Sequence, residues 1–409
     1  MRNQQFEHFM NKAWAIAAVA VMLVGHSWAA SNFTPLYSFT GGNDGGDPAT
    51  GLIFDQSGNA YGTTVAGGDF GCGTVFQLTP SGGHFTESVL FSFDCFDSGK
   101  NPYGGVILDS KGNLYGTTVA GGSAGICAGD GCGLVYMLSN VGGTWKETPM
   151  YNFTGGDDGF GPGSALTSDG NGNFYGTTPD GGANSVGVVY QISPVRGGGW
   201  QQTVIHTFTG GNDGAVGSLG ALLIDNAGNL YGISELGGAF GAGTVFRLSS
   251  VQGGWKMTTL YAFKGQPDAA FPYGGLIADA SGNLYGTTYF GGKNGMGAVF
   301  KLARTGKKEA VLYNFKGGMD GSNPTSTLVF DAAGNLYGTT STGGNTGCDC
   351  GTVFELVPAH GERILHRFAE TPDGGYPYYG FTPDQNGYLY GTTVSGGSNT
   401  QGMVFKFTP

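Results

Sequence analysis

The sequence predicts an all-β fold, a seven-bladed β-propeller with four-stranded blades in which the N-terminal strand closes the last blade. Three observations lead to it. Gly-Asn-Leu-Tyr-Gly-Thr-Thr stands intact at 112–118, 282–288 and 334–340, with variants at 58–64, 172–178, 228–234 and 387–393, seven copies in all. The tyrosines of these copies, from Tyr61 to Tyr390, lie 52 to 60 residues apart, too long for one coil of a β-helix and well suited to four short strands. The chain also begins on one strand type and ends on another, so one blade is shared between its two ends.

The first strand of each repeat is a short apolar run led by small residues, such as Gly51-Leu52-Ile53-Phe54 or Gly275-Leu276-Ile277-Ala278, the length of a buried strand. An Asp-x-x-Gly turn follows in every repeat, from 55–58 to 384–387. The aspartate bonds the turn backbone and the glycine accepts the left-handed conformation, a combination that closes hairpins. The second strand is Asn-Leu-Tyr-Gly-Thr-Thr. The third is Gly-Thr-Val-Phe-x-Leu, as at 73–78, 243–248 and 351–356. Both are rich in β-branched and aromatic residues. The fourth is Leu-Tyr-x-Phe, as at 36–39, 260–263 and 312–315.

A fourth-type strand at 36–39 precedes the first repeat and a third-type strand at 403–407 ends the last one. With the first strand innermost, the N-terminal strand becomes the outer edge of the last blade, and the ring closes without a dangling edge. An open solenoid would carry atypical polar caps at both ends, and none is seen.

Composition sets the surroundings. Glycine fills 82 of 409 positions and only 11% of residues are charged, so the chain is turn-rich, while 28 Phe and 20 Tyr supply a core that a disordered chain lacks. The N-terminus reads as an export signal: Arg2 and Lys12, an uncharged apolar run over 13–25, and Ser27-Trp28-Ala29 for cleavage after Ala29. Residues 1–29 are thus a signal peptide and 30–409 the propeller. The run is short for a membrane anchor, the mature chain has no span, and no hydrophobic tail follows. The mature chain carries 16 basic against 28 acidic side chains, a formal charge of −12, which excludes phosphate-tracking on nucleic acid. A secreted or periplasmic monomer is expected, with cell-surface association as the alternative.

The run Asp-x-x-Gly-Asn-Leu-Tyr-Gly-Thr-Thr-x-x-Gly-Gly followed by Gly-Thr-Val-Phe-x-Leu closely resembles the GloVer tandem repeat, over essentially all of the mature chain. Members described as choice-of-anchor proteins are exported bacterial surface proteins with differing C-terminal sorting signals. The resemblance therefore implies a bacterial envelope or extracellular setting. It implies no activity and no catalytic residues. This chain departs in ending at Lys406-Phe407-Thr408-Pro409 without an anchor, which favours a free form.

With the first strand innermost, the links from fourth to first strands and from second to third strands emerge on one face, around the central channel, where a ligand is expected. Departures from the repeat mark candidates there, because a residue that serves blade folding should appear in every blade. Asn101-Pro102-Tyr103-Gly104, Phe271-Pro272-Tyr273-Gly274 and Tyr376-Pro377-Tyr378-Tyr379 bring aromatics toward the channel mouth. Tyr103, Tyr273, Tyr376 and Tyr378 then form a stacking platform for a glycan or peptide, or else plug the channel. After the second strand, Thr177-Thr178-Pro179-Asp180, Ile233-Ser234-Glu235-Leu236 and Thr287-Thr288-Tyr289-Phe290 replace the usual ending. Asp180 and Glu235 suit an acid and a base or nucleophile for glycan cleavage, beside the ring faces of Tyr289 and Phe290. Ordinary loop variation is the competing account.

The fourth-to-first links also hold aspartates, including Asp44, Asp97, Asp158 and Asp213. With Asn43, Asp47 or Asp157 and backbone carbonyls they offer oxygens for calcium, and each also suits capping of its own turn. No cofactor is required and calcium is the candidate ion. Zinc spacings, nucleophile elbows and phosphate loops are missing, and His206 and His366 replace aromatics of the fourth strand. Six cysteines in an exported chain point to disulfides: Cys72 with Cys95 across a hairpin, Cys127 with Cys132 within one loop, and Cys348 with Cys350 as a small ring or as thiols. Two function classes remain open beside non-enzymatic binding of a carbohydrate or other extracellular ligand: a glycan hydrolase or lyase, and a structural surface or matrix protein.

Overall fold

The computed structural model describes residues 32–409 apart from 49, 83, 124, 128, 218–219, 307–308, 345–346 and 359. The export signal and its cleavage point lie outside the described residues. Seven antiparallel sheets follow one another in a ring, a seven-bladed β-propeller. From the inside outward the first blade is Ile53–Phe54, Ala60–Thr64, Thr74–Ser81 and His84–Ser92. The last is Thr382–Pro383, Leu389–Thr393 and Met403–Thr408, completed by Asn32–Ser38 from the other end of the chain. That seam is antiparallel, with Asn32 opposite Thr408 and Ser38 opposite Met403. Among the described residues no helix is long and apolar enough to cross a membrane.

Each letter of the repeat has a physical task. In the hairpin turn, Asp55 accepts hydrogen bonds from the Ser57 and Asn59 backbones, from Asn59 Nδ2 at 2.8 Å and from the Tyr61 hydroxyl at 3.0 Å. One carboxylate thus organises both the turn and the strand after it. The glycine after the tyrosine leaves room for the third strand's aromatic ring: a Cβ at Gly62 would lie 2.6 Å from Phe76 Cζ. The first threonine reaches the next blade, as Thr63 Oγ1 donates to the Pro102 carbonyl at 2.7 Å. The second folds back on its own chain, as Thr64 Oγ1 donates to the Ala66 carbonyl at 2.9 Å.

Blades are joined by aromatic rings. The phenylalanine that ends each fourth strand packs edge-to-face on the third-strand ring of the following blade: Phe39 on Phe76 and Phe263 on Phe300, each at 5.1 Å, and Phe368 on Phe405 at 5.4 Å. These phenylalanines are fully buried. Such a pair contributes about 0.5–1.5 kcal/mol beyond the area it buries. The contact repeats around the ring, so no blade can be removed without exposing two faces.

The innermost strand is interrupted rather than continuous. In the fourth, fifth and sixth blades a separate upper piece, Ala215–Gly217, Ala269–Pro272 or Ser322–Pro324, pairs with the far end of a lengthened second strand. Elsewhere the same place is held by single bridges such as Gly46 with Ala66 and Gly375 with Ser395. Just before a proline, the residues Asp47, Asn101, Phe271, Asn323 and Tyr376 adopt left-handed backbone, with φ from 52° to 57°. That conformation is uncommon for a side chain with a Cβ. It is held by a backbone hydrogen bond to the previous blade, as from the Phe271 N–H to the Ala242 carbonyl at 2.8 Å. The chain then crosses toward the axis through small residues, where a Cβ at Gly274 would collide with the Ser326 backbone. The upper face is built from these crossings and from the ends of the second strands.

Candidate functional site

The interruption of the inner strands opens a cavity of about 740 Å³ on the upper face. Crossings before the inner strands supply Asp47, Tyr103, Phe271, Tyr273, Tyr378 and Tyr379. Links after the second strands supply Val65, Glu235, Leu236, Tyr289, Phe290 and Val394. Both classes of link therefore contribute, and the walls are mainly aromatic and aliphatic. Phe290 and Leu236 are exposed, whereas the other aromatic rings are half-buried.

The rings form a continuous wall. Tyr289 and Phe290 meet at 4.6 Å and 87°, Phe271 and Phe290 at 6.0 Å and 85°, and Tyr273 and Tyr289 at 6.0 Å and 42°. Burial, together with the charge of Glu235 and the neighbouring hydroxyls of Tyr378, Tyr289 and Tyr103, pushes the Tyr273 hydroxyl up to about 12. Burial and the hydroxyls of Tyr273, Tyr103 and Tyr378 also raise Tyr379. Tyr103 is raised by burial and by the charge of Asp47. These hydroxyls are consequently uncharged donors and acceptors at neutral pH. Burial raises the carboxyls of Glu235 and Asp47 as well, and no described residue donates a hydrogen bond or ion pair to either.

Of the residues singled out from the sequence, Tyr103, Tyr273, Tyr378, Tyr289, Phe290 and Glu235 meet in this one cavity. Tyr376 does not line it. Asp180 does not share it with Glu235: its side chain is exposed, and its backbone pairs with Phe160 and accepts from Thr178 Oγ1. Sequence reasoning placed Phe271 and Tyr379 in segments at the channel mouth without choosing them for the platform, and read Asp47 as an oxygen donor of its turn rather than as a wall residue. Asp47 and Phe271 occupy the same left-handed position before proline, which was the signal available.

The link aspartates Asp44, Asp158 and Asp213 are each engaged in their own turn. Asp158 accepts from the Tyr151 hydroxyl at 2.9 Å, the Thr154 backbone at 2.8 Å and Thr154 Oγ1 at 2.6 Å. Asp44 accepts the same three donors from Tyr37 and Thr40, and Asp213 from His206 and Thr209. In the second blade the pattern is inverted. Asp94, not Asp97, holds the turn by accepting from Phe96 and Ser98. Among the described residues, the one group of three potential metal ligands is Cys348, Cys350 and Glu370. Its two sulfurs are joined to each other, so neither is a thiolate. Cys72 pairs with Cys95 and Cys127 with Cys132, leaving no free cysteine.

A family model described as the Gloeobacter/Verrucomicrobia repeat matches residues 22–129, 124–279 and 220–409. The chain belongs to this family. No curated protein matches the repeat protein. Among solved structures it is similar to the extracellular domain assigned to a one component system of B. thetaiotaomicron, at 9% identity and a TM-score of 0.56 over 92% of this chain and 40% of that one. The repeat chain thus spans well under half the length of that relative. A protein from Lactobacillus plantarum matches at 14% identity and a TM-score of 0.53, over 82% of this chain and 88% of that one. At such identities the likeness concerns the fold alone.

Proposed function

We propose that this protein is an exported, monomeric binding propeller that takes a carbohydrate or another small extracellular ligand into the upper cavity without transforming it. The observation that carries the reading is the aromatic wall of Tyr103, Phe271, Tyr273, Tyr289, Phe290 and Tyr378 around a cavity of about 740 Å³. Ligand sites are concave and mostly apolar with a few placed polar groups, and ring faces stack well on the C–H faces of sugars. Three disulfides support an oxidising compartment outside the cytoplasm.

A glycan hydrolase or lyase is the second reading, favoured by two carboxylates, Glu235 and Asp47, in one cavity. Incubation of the mature protein with an array of bacterial and plant glycans, with and without calcium, separates the readings. Saturable binding without products is the expected result, weakened by Tyr273→Ala or Tyr289→Ala. Products that vanish in Glu235→Gln would replace the binding reading with the enzymatic one. Affinity that needs calcium would bring the turn aspartates Asp44, Asp158 and Asp213 into the site, and the lack of any saturable ligand would leave a structural surface role.

A further inference from the structure

We propose that the cavity recognises an organic cation, whose ammonium or quaternary ammonium head sits among Phe271, Tyr273, Tyr289 and Phe290 and is balanced by the carboxylates of Glu235 and Asp47. This rests on the cavity being a binding site and narrows its ligand. The first support is the arrangement of the rings. Tyr289 stands at 87° to Phe290, and Phe271 at 85° to the same ring, so the rings lining the cavity lie in different planes. An aromatic face carries the negative end of the ring quadrupole, and several faces around one point attract a positive head group.

The second support is charge. Among the described residues the wall holds two carboxylates and no Lys, Arg or His. No described residue gives the carboxylate of Glu235 or of Asp47 a hydrogen bond or ion pair, and burial already disfavours the charge on both. Withdrawing a carboxylate from water costs free energy unless a partner compensates it. Among the described residues none supplies a counter-charge, and a bound cation would. A neutral sugar offers hydroxyl donors but leaves the charge uncompensated. The excess of acid over base, −11 for the whole chain, also favours approach of a cation.

Calorimetric titration of the full mature chain with four probes tests this. Glucosamine and choline are cations from an amino-sugar and a quaternary-ammonium source, and N-acetylglucosamine and glucose are neutral sugars matched to the first. The expected result is that at least one cation binds roughly tenfold or more tightly than either neutral probe, with affinity falling as salt rises. The tighter cation identifies the source. Glu235→Gln should lower cation affinity by roughly three- to tenfold and leave neutral probes unaffected. Asp47→Asn should act the same way and still fold, because Asn101 and Asn323 occupy the same left-handed position in other blades. Neutral probes binding as tightly as cations, or cation affinity unchanged in both variants, would overturn the cation. Failure of all four probes on a protein that binds a neutral glycan from the array would also overturn the cation alone. Failure of the probes and the array together would overturn the binding site as well.

Discussion

The hydroxyls of Tyr136 and Tyr190 are completely buried and meet no hydrogen-bond partner among the described residues. Both rings occupy the third-strand position that Phe76, Phe246, Phe300, Phe354 and Phe405 fill in other blades, and both press on the second-strand glycine. Burying an unmatched hydroxyl costs about 1–3 kcal/mol. Tyr136→Phe and Tyr190→Phe are therefore expected to raise stability by about 1 kcal/mol each, read as a higher urea midpoint with an unchanged slope. The same scale explains what was legible of the cavity. Tyr103, Tyr273, Tyr289 and Glu235 stood out because they break a repeat whose remaining letters serve the blades. Asp47 was harder to read, since an aspartate in a glycine-rich turn looks like a cap, and only its backbone conformation before Pro48 directs it to the cavity. Asp180 misled for the converse reason. It breaks the repeat, yet the bridge to Phe160 keeps that segment in the blade while its side chain stays in solvent.

The fourth strands carry a second set of half-buried acids. Burial, followed by the nearby charge of Asp44, Asp94, Asp268 and Asp320 respectively, pushes Glu87, Glu147, Glu309 and Glu362 up to about 7. One oxygen of each is buried without a partner. The third blade has Gln202 in this register, and its amide donates to the Asp158 carbonyl at 3.1 Å. A protonated glutamate can do what that glutamine does. Because the folded values lie above the ordinary glutamate value, the stabilisation is full in mild acid and is lost as pH rises through about 7. The hairpin aspartates act in the opposite sense. Burial would raise Asp279, but hydrogen bonds from Asn283, Tyr285 and Ser281 outweigh it and hold it at about 2, so its contribution is lost only in strong acid. The melting temperature should peak near about pH 5 and fall by about several degrees toward pH 8. Scanning calorimetry across that range checks it, and the quadruple Glu→Gln variant should flatten the alkaline side. A rise in melting temperature from pH 5 to pH 8 would contradict it. The strand order itself was legible because each element recurs with its own turn chemistry. The break in the inner strand was not, because it depends on the left-handed residue before proline, which the hydrophobic pattern does not record.

Ring closure rests on one strand. Asn32–Ser38 covers the edge of Met403–Thr408, and Phe33 stacks on His366 at 4.1 Å and leans on Phe405 at 5.1 Å. Deleting residues 32–39 would leave that edge unpaired and Phe76 without Phe39, so the shortened chain should melt far lower and self-associate. Adding a peptide of residues 32–39 should restore the melt, and size-exclusion chromatography with thermal denaturation follows both steps. The seam was legible in the sequence from phase alone, since an array that starts on its outer strand type and stops on its third leaves one sheet to be finished by its beginning. The direction of that seam also decides how the molecule yields to pulling. Asn32 lies opposite Thr408 at one end of the ladder, so tension between the two ends of the propeller loads a single pair of strands like a zip, parting its hydrogen bonds one after another. A load shared across all the bonds would resist far longer. In an optical trap the seam should open first and at low force, and only then should the blades peel away in turn.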